Sequence, residues 1–305
     1  MSEPAYPPPM VALMRKMPEG RAWLEALPGL ISEFRERWRL ALGAPYPNSF
    51  VSVVFPAERE DGGRAVLKLS FRDRETANES AALRLYAGEG SVRLLESDPE
   101  RGALLLERAE PGTPLLQLPD LAEADAIAAD VLHRLWRPVP DGHPFELAAD
   151  RAAEWAREQL TTWEATGRPF ERELAEEAAV LFADLARPVE EPVLLHQDFH
   201  HDNVLAAERE PWLAIDPKPL AGERAFDVPC LLRNRTADVF SAARPGEAMG
   251  RRLDFFADSL MVDRERIRMW ALAQAVELGL WDYEVGLADH GERLIECARL
   301  FRALS

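Results

Sequence analysis

Three oxygen-bearing side chains of suitable type and spacing for a hard metal cation lie in one short part of the chain. Asp198 and Asn203 belong to a polar loop between two apolar runs, and Asp216 follows the second run. Burying an acid beside a strand is costly unless a cation pairs with it. Magnesium accepts carboxylate and amide oxygens as ligands. These three groups could therefore converge around such a cation.

The loop also matches the spacing of a kinase catalytic loop. His196 and Asp198 form His-x-Asp, and Asn203 follows that aspartate by five residues, as in H-R-D-x-x-x-x-N. Asp216 stands where kinases place their second metal ligand. On this pattern Asp198 would accept the proton of a substrate hydroxyl, and Asn203 and Asp216 would hold Mg2+ on the phosphates of ATP. His196 would support the loop without contacting substrate.

Two other interpretations of the loop are open. The simpler one is a polar turn between strands, with Asp198 as a turn former, although a turn requires neither the spaced asparagine nor the later aspartate. The other is a zinc site built from His196, Asp198, His200 and His201, since zinc sites use such ligands. Metal analysis would distinguish the zinc site from the kinase pattern.

A lysine upstream fits the same chemistry. Lys68 interrupts the apolar run of residues 65–70, and Ala-Val-Leu-Lys is similar to the kinase Val-Ala-Ile-Lys strand, whose lysine contacts the α- and β-phosphates. Kinases pair that lysine with a glutamate of the following helix. Glu79 and Glu75 are the two candidates here. A solvent-exposed strand lysine is the alternative interpretation of Lys68.

Together with Asp216-Pro217-Lys218, the loop resembles the aminoglycoside phosphotransferases, most of all their streptomycin-phosphorylating and hydroxyurea-kinase branch. The resemblance implies an α+β, bilobal protein-kinase-like fold. Its small antiparallel-sheet N-terminal lobe would cover residues 1–107, and its larger, mainly helical C-terminal lobe residues 108–305. It favours Glu79 over Glu75. It also implies that Asp227 bonds the backbone of the catalytic loop, where the alternative is a helix cap.

The nucleotide site lacks one expected part. No G-x-G-x-x-G precedes the first strand, so side chains of Asn48 and Ser49 and backbone N–H groups would cover the phosphates. The resemblance to kinases places the adenine edge against backbone groups from Glu107 to Ala109. Lys218, directly after the Asp-Pro pair, could contact a phosphate or pair with an acid, and the sequence does not decide between these.

The acceptor site is expected between the catalytic loop and the C-terminal helices. Four acids there are candidates to hold ammonium or guanidinium groups of a substrate: Asp202, Glu277, Asp282 and Glu284. Carboxylates pair well with guanidinium groups, which streptomycin carries. A surface acid with no ligand is the alternative for each of them.

Composition limits the class of protein. The chain has 305 residues, 47% of them hydrophobic and 29% charged, which suits a two-lobed globular protein. Its formal net charge of -17 argues against nucleic acid as a partner. An acidic cleft would attract a cationic small molecule, and a solvated coat is the simpler interpretation for most of the acids. The N-terminal residues show no basic segment followed by an apolar core, and no apolar run is long enough to cross a membrane, so neither a signal peptide nor a transmembrane helix is expected. Cys230 and Cys297 are expected to be reduced thiols, so the protein is predicted to be cytoplasmic. It is expected to be a monomer or a homodimer.

Periodicity predicts the elements that position these residues. Strands are expected at residues 50–55, 65–70, 92–96 and 102–107, with a hairpin turn at 60–63. Helices are expected at residues 28–40, 74–86, 121–136, 146–164, 170–185, 249–260, 263–279 and 289–304.

The sequence therefore predicts an ATP- and Mg2+-dependent O-phosphotransferase that acts on a hydroxyl of a small molecule, an aminoglycoside such as streptomycin being favoured. Alternative acceptors are hydroxyurea or a choline-, homoserine- or sugar-like metabolite. A kinase-like binding protein without turnover is the alternative from another class.

Overall fold

A computed structural model describes residues 6–47 and 49–304 of the chain. The strands are β1 (Leu40–Leu42), β2 (Ser52–Arg59), β3 (Arg64–Ser70), β4 (Leu94–Asp98), β5 (Ala103–Glu107), β6 (Pro111–Pro114), β7 (Glu146–Leu147), β8 (Val193–Leu195), β9 (Val204–Ala207), β10 (Trp212–Ala214) and β11 (Leu220–Gly222). The helices are α1 (Pro8–Met14), α2 (Pro18–Arg37), α3 (Glu79–Tyr86), α4 (Leu121–Leu135), α5 (Ala148–Ala165), α6 (Arg172–Leu185), α7 (Val228–Arg233), α8 (Thr236–Phe240), α9 (Pro245–Leu260), α10 (Arg264–Val285) and α11 (Ala288–Arg302).

The chain divides into two compact units. The first comprises Met1–Gly112 and Ala206–Lys218, and the second comprises Thr113–Leu205 and Pro219–Ser305. The first contains an antiparallel sheet and the second is mainly helical, so the predicted α+β class is confirmed. The division into lobes at residue 107 stays a prediction, and the units differ from it in assigning segment 206–218 to the first unit.

The sheet of the first unit has the strand order β1-β2-β3-β5-β4, with antiparallel neighbours throughout. β2 and β3 form the predicted hairpin, whose turn is closed by a bond from the Arg59 N–H to the Gly63 carbonyl at 2.9 Å. Gly62 has a φ of 80°, which glycine adopts without strain. β2 begins at Ser52, two residues later than predicted, and leaves Phe50 exposed.

The second helix begins ten residues before its predicted start. We expected residues 28–40 with Pro28 in the first turn, but α2 runs from Pro18 to Arg37 and contains Pro28 in its interior. An interior proline removes one helical hydrogen bond, at a cost of roughly 3 kcal/mol. Pro28 is exposed, while Leu27 and Phe34, on a neighbouring face of the helix, are buried in the core of the unit. Burial of that apolar face outweighs the lost bond.

The third helix is shorter than predicted. Residues 74–78 form turns, and α3 starts at Glu79. Asp73 explains the difference, because its carboxylate accepts the N–H groups of Glu75 and Thr76, each at 2.9 Å. An aspartate that bonds the backbone two and three residues ahead stabilises a turn in place of a helix.

The second unit places α10 against several other helices. Positions 270–276 of α10 are buried in succession, and the helix packs against α6, α7, α9 and α11. Residues 281–284, expected to follow this helix, belong to it. A small sheet of order β7-β11-β8 leads into the catalytic loop, and because Glu146 and Leu147 pair with β11, α5 begins at Ala148 rather than at 146. Within the described ranges, no helix has the length and apolar character needed to cross a bilayer.

Candidate active site

The predicted catalytic loop lies between β8 and β9 in the second unit and closes with a 3-10 turn over His201–Asn203. Its backbone bonds to itself. The Asp198 N–H donates to the His196 carbonyl at 2.8 Å, and the Asn203 N–H donates to the His200 carbonyl at 2.9 Å. These local bonds satisfy backbone groups that no strand partner meets, and they fix the shape of the loop.

Asp198 and Asn203 are linked directly within the loop. Asn203 Nδ2 donates to the Asp198 carbonyl oxygen at 2.9 Å and lies 3.2 Å from His200 Nε2. Because the amide nitrogen bonds the loop, the amide oxygen is the atom that can serve a cation. The Asp198 side chain is 28% exposed, and one of its oxygens lies 3.6 Å from His200 Nε2. A carboxylate with this access can meet an incoming hydroxyl.

Asp227 anchors the start of the loop. Its buried carboxylate accepts the N–H groups of His196 at 3.0 Å and Gln197 at 2.8 Å, and the indole N–H of Trp136 at 3.0 Å. Burial raises the pKa of Asp227 to about 6, against the effect of these donors, which favour the ionised form. Asp227 precedes α7, but in the described chain its side chain bonds the loop backbone and does not cap that helix. Its part in the reaction stays a prediction. Sequence reasoning missed Trp136.

His196 itself is buried behind the loop. Its ring packs edge-on against Phe199, with 5.3 Å between ring centroids. A supporting role for His196 in the reaction stays a prediction.

In the first unit, Lys68 contacts two acids. Its Nζ lies 2.7 Å from Glu79 Oε1 and 2.5 Å from Asp216 Oδ1. Burial alone would lower the pKa of Lys68, but the carboxylates of Asp216 and Glu79 outweigh it and hold this pKa above its ordinary value. Lys68 is consequently charged, and it is not a solvent-exposed strand lysine.

Asp216 owes its position to β10. The Ala214 N–H donates to the Gly90 carbonyl at 2.8 Å, and the Val92 N–H donates to the Ala214 carbonyl at 3.0 Å. These bonds fix β10 within the first unit, two residues before Asp216. Asp216 has a φ of 60°, a left-handed conformation that aspartate adopts more readily than most residues.

The two candidate glutamates have different partners. Glu79 is buried and contacts Lys68, whereas Glu75 Oε2 lies 3.5 Å from Lys218 Nζ. The structure therefore gives the Lys68 ion pair to Glu79. Of the two roles left open for Lys218, it displays the pairing with an acid.

At the end of β5, the expected adenine-binding segment is held by an arginine. Arg209 donates through Nε and Nη2 to both carboxylate oxygens of Glu107, each at 2.8 Å, and through Nη2 to the Ser91 carbonyl. The Glu107 N–H donates to the Arg93 carbonyl at 2.8 Å, so this backbone donor already has a partner.

The remaining candidates for nucleotide contact lie in loops. Ser49 Oγ donates to the Ser52 carbonyl. The Ala109 carbonyl lies so close to Gly112 that a Cβ there would come within 2.9 Å of it. Asn48 lies outside the described residues.

The four candidate acceptor acids differ in exposure. Asp202 and Glu284 are accessible, and Glu277 is half-buried in α10. Asp282 is only 1% exposed, and its Oδ2 lies 2.5 Å from His290 Nδ1. This contact joins α10 to α11, and a substrate contact by Asp282 stays a prediction.

The zinc alternative is not supported by the arrangement of its four residues. His201 is buried, with its ring nitrogens 3.1 Å from Asp125 Oδ1 and 2.8 Å from Asn234 Oδ1. His196 packs on Phe199, and among the described residues no three His, Cys, Asp or Glu side chains are grouped as metal ligands.

Sequence reasoning also missed the buried partners of His201. Asp125 stands between Ala124 and Ala128 on the apolar face of α4, where a charged residue requires a partner. An aspartate on this apolar face could have indicated a buried ion pair. The partner, Arg252, is 127 positions away, and no local pattern indicates it.

The chain is similar in sequence to known kinases. Residues 37–286 match the family described as aminoglycoside/hydroxyurea antibiotic resistance kinase. A streptomycin 6-kinase of Streptomyces glaucescens is 37% identical over 93% of this chain and 92% of its own length. A hydroxyurea phosphotransferase of Kitasatospora aureofaciens is 40% identical over 92% of this chain and 80% of its own length.

Among solved structures, a choline kinase from Streptococcus pneumoniae is similar in fold, with a TM-score of 0.64 and 15% identity over 91% of this chain and 99% of its own. This similarity concerns the fold alone, and it confirms the predicted kinase-like architecture. The family match covers the catalytic loop, the ion pairs of Lys68 with Glu79 and Asp216, and the pair of Asp125 with Arg252. The chain belongs to the aminoglycoside/hydroxyurea antibiotic resistance kinase family.

Proposed function

We propose that this protein transfers the γ-phosphoryl group of ATP to a hydroxyl of an aminoglycoside, with streptomycin the first acceptor to test. The observation that carries the acceptor class is the 37% identity with a streptomycin 6-kinase across 93% of the chain. The net charge of -17 supports a polycationic substrate, because an acidic protein attracts one.

Asp198 is the proposed base. It orients the acceptor hydroxyl and takes its proton as the hydroxyl oxygen bonds the γ-phosphorus and the bond from this phosphorus to the β–γ bridging oxygen breaks. Such enzymes do little covalent chemistry of their own and act chiefly by positioning groups and stabilising charge. The partial exposure of Asp198, in a loop anchored by Asp227, supports this role.

Lys68 is proposed to hold the α- and β-phosphates, with Glu79 keeping its ammonium in place. The buried contact of 2.7 Å between them supports this pairing. For the nucleotide itself, we propose that Ser49 and the backbone nearby cover the phosphates, and that backbone groups from Glu107 to Ala109 meet the adenine.

Asn203 and Asp216 are the proposed magnesium ligands. Their donor chemistry fits, since one presents a carboxylate and the other an amide oxygen whose nitrogen is already bonded within the loop. When bound, magnesium neutralises charge on the transferring phosphate. Lys68 contacts the Asp216 carboxylate, so this side chain is already held in place before magnesium binds.

For the acceptor, we propose that Asp202, Glu277 and Glu284 pair with cationic groups of the substrate. Exposed or half-buried carboxylates suit guanidinium groups, which bind two oxygens at once. The proposal leaves out Asp282, because its carboxylate is buried and contacts His290.

Hydroxyurea is the second candidate acceptor. A hydroxyurea phosphotransferase 40% identical over 92% of the chain favours it. The two acceptors differ in charge, because hydroxyurea has no cationic group. Acidic residues that bind streptomycin should therefore be irrelevant to hydroxyurea.

We also propose that the enzyme works in the cytoplasm, as a monomer or homodimer. Cys230 and Cys297 are not joined in a disulfide, which suits a reducing compartment.

A coupled ADP-release assay with Mg-ATP tests the proposal. The panel comprises streptomycin, other aminoglycosides, hydroxyurea, choline, homoserine and simple sugars. Release that depends on streptomycin supports the proposal, and release with hydroxyurea alone transfers it to the second candidate. Release only with a metabolite supports phosphoryl transfer but rejects an antibiotic as the acceptor. No ADP release with any acceptor, together with no rise in melting temperature on adding ATP, favours a non-catalytic binding protein.

A further inference from the structure

We propose that four residues position the catalytic loop, so that Asn203 and Asp198 keep their working geometry. These residues, named here the Asp125 cluster, are Asp125, His201, Asn234 and Arg252. The inference rests on the proposed function, because it assigns positioning residues to that reaction. All four residues belong to the second unit, and His201 itself is part of the loop.

The cluster grips His201 on both sides of its ring. Nε2 lies 3.1 Å from Asp125 Oδ1, Nδ1 lies 2.8 Å from Asn234 Oδ1, and the side chain is fully buried. A rotation of the ring would break one contact or both. Leaving one buried polar group unsatisfied costs about 1–3 kcal/mol, so the ring orientation is fixed.

Arg252 fixes Asp125 in turn. Its Nε donates to Asp125 Oδ2 at 2.7 Å and its Nη2 to Asp125 Oδ1 at 2.8 Å, a two-pronged ion pair between α9 and α4. Burial opposes ionisation of Asp125, but hydrogen bonds from Arg252 and His201 outweigh it and lower its pKa. The carboxylate that faces His201 is therefore charged and immobile.

Arg252 also fixes the C-terminal end of α7. It donates to the carbonyls of Leu231 at 3.1 Å and of Leu232 and Asn234 at 3.3 Å each. Asn234 follows α7 directly, and Asp227, which precedes α7, bonds the start of the catalytic loop. The short helix thus connects two anchors of one loop, Asp227 at its start and the Asp125 cluster near its end.

Stability alone does not account for this arrangement. A buried ion pair can often be replaced by apolar residues without loss of stability, so its presence calls for another benefit. Here the benefit is geometric. His201 lies between the base Asp198 and the metal ligand Asn203, and a displacement of about 1 Å at such groups can cost about 10²-fold in rate.

The test compares two buried arginines in the same unit. Arg252 and Arg268 are each 7% exposed, and Arg268 likewise pairs with a carboxylate, that of Glu265, and with a carbonyl, that of Phe301. Arg252→Leu and His201→Leu should lower kcat by about 10- to 100-fold and raise the magnesium concentration for half-maximal activity. Arg268→Leu should change neither quantity. His201→Gln, whose amide can still reach Asp125, should recover part of the activity.

A second measurement does not depend on turnover. Hydrogen exchange of residues 196–203 should accelerate in His201→Leu and Arg252→Leu and stay unchanged in Arg268→Leu. If the wild type proves inactive with every acceptor, the proposed function fails, yet faster exchange confined to this loop still supports the positioning role. Unchanged exchange in the loop, or the same kcat and exchange in the Arg252 and Arg268 variants, overturns the inference.

Discussion

The ammonium group of Lys68 lies 2.5 Å from the carboxylate of Asp216, 148 positions later in the chain. With Glu79 on its other side, one buried cation joins two acids. Lys68 and the acids around it therefore depend on one another both for stability and for the proposed binding of Mg-ATP.

Loss of Lys68 should affect activity and stability separately. Lys68→Met removes the phosphate-binding cation, so kcat should fall by about 10²–10³-fold. It also leaves buried Glu79 without its partner, which should destabilise the fold by about 3–5 kcal/mol. ADP release and chemical denaturation measure the two effects.

The double variant Lys68→Met/Glu79→Met is the control. With both buried charges gone, most of the stability should return while activity stays low. Recovery of turnover in the double variant would contradict the role given to Lys68.

The two glutamates near α3 provide a matched pair. Glu79→Gln should weaken ATP use, because a neutral amide holds the Lys68 ammonium less firmly, and we expect a loss of about tenfold in kcat/KM for ATP. Glu75→Gln, which removes the contact of a partly exposed carboxylate with Lys218, should cause the smaller change. Steady-state kinetics with varied ATP measure both. Equal effects would show that the buried pair has no special part in nucleotide use.

Asp198 should matter for turnover and not for nucleotide binding. Asp198→Asn keeps the shape of the side chain but cannot take a proton, so kcat should fall by on the order of a hundredfold or more. ATP should still raise the melting temperature as it does in the wild type. Near-normal turnover would remove Asp198 as the base.

The acceptor acids should separate the two candidate substrates. Glu277→Gln and Glu284→Gln each remove a carboxylate that can pair with a guanidinium group, so KM for streptomycin should rise by about tenfold. Hydroxyurea carries no such group and should be unaffected. Glu296→Gln, in α11, is the control, because the Glu296 side chain is 42% exposed and pairs with Arg293, three residues earlier in the same helix. A KM that is unchanged in both variants would place the acceptor elsewhere.

What could be predicted from the sequence was local in the chain. Asp198 and Asn203 are five residues apart, so spacing alone indicated their loop, and a lysine within an apolar strand indicated Lys68. The start of α3 was not predictable from periodicity, because Asp73 bonds the next turn and delays the helix. Periodicity records burial, whereas such a turn depends on one side chain.

Contacts between distant residues left little trace in the sequence. Trp136 and Asp227 are 91 positions apart, and neither stands in a pattern that indicates the other. The first part of α2 was missed for a different reason. A proline normally disrupts a helix, but Pro28 is exposed and a neighbouring face of the helix packs in the core. Tertiary packing decided both cases.

The pH dependence of kcat should report Asp227. Burial raises its pKa to about 6, and only the ionised carboxylate can accept all three N–H groups of His196, Gln197 and Trp136. Protonation as pH falls through about 6 should loosen the loop and lower kcat. Asp227→Asn replaces one accepting oxygen with a donor, so its kcat should be low throughout and lack the step near pH 6. ADP release above and below this pH measures both profiles. A wild-type profile that is flat there, or an Asn variant that retains the step, would assign the titration to another group.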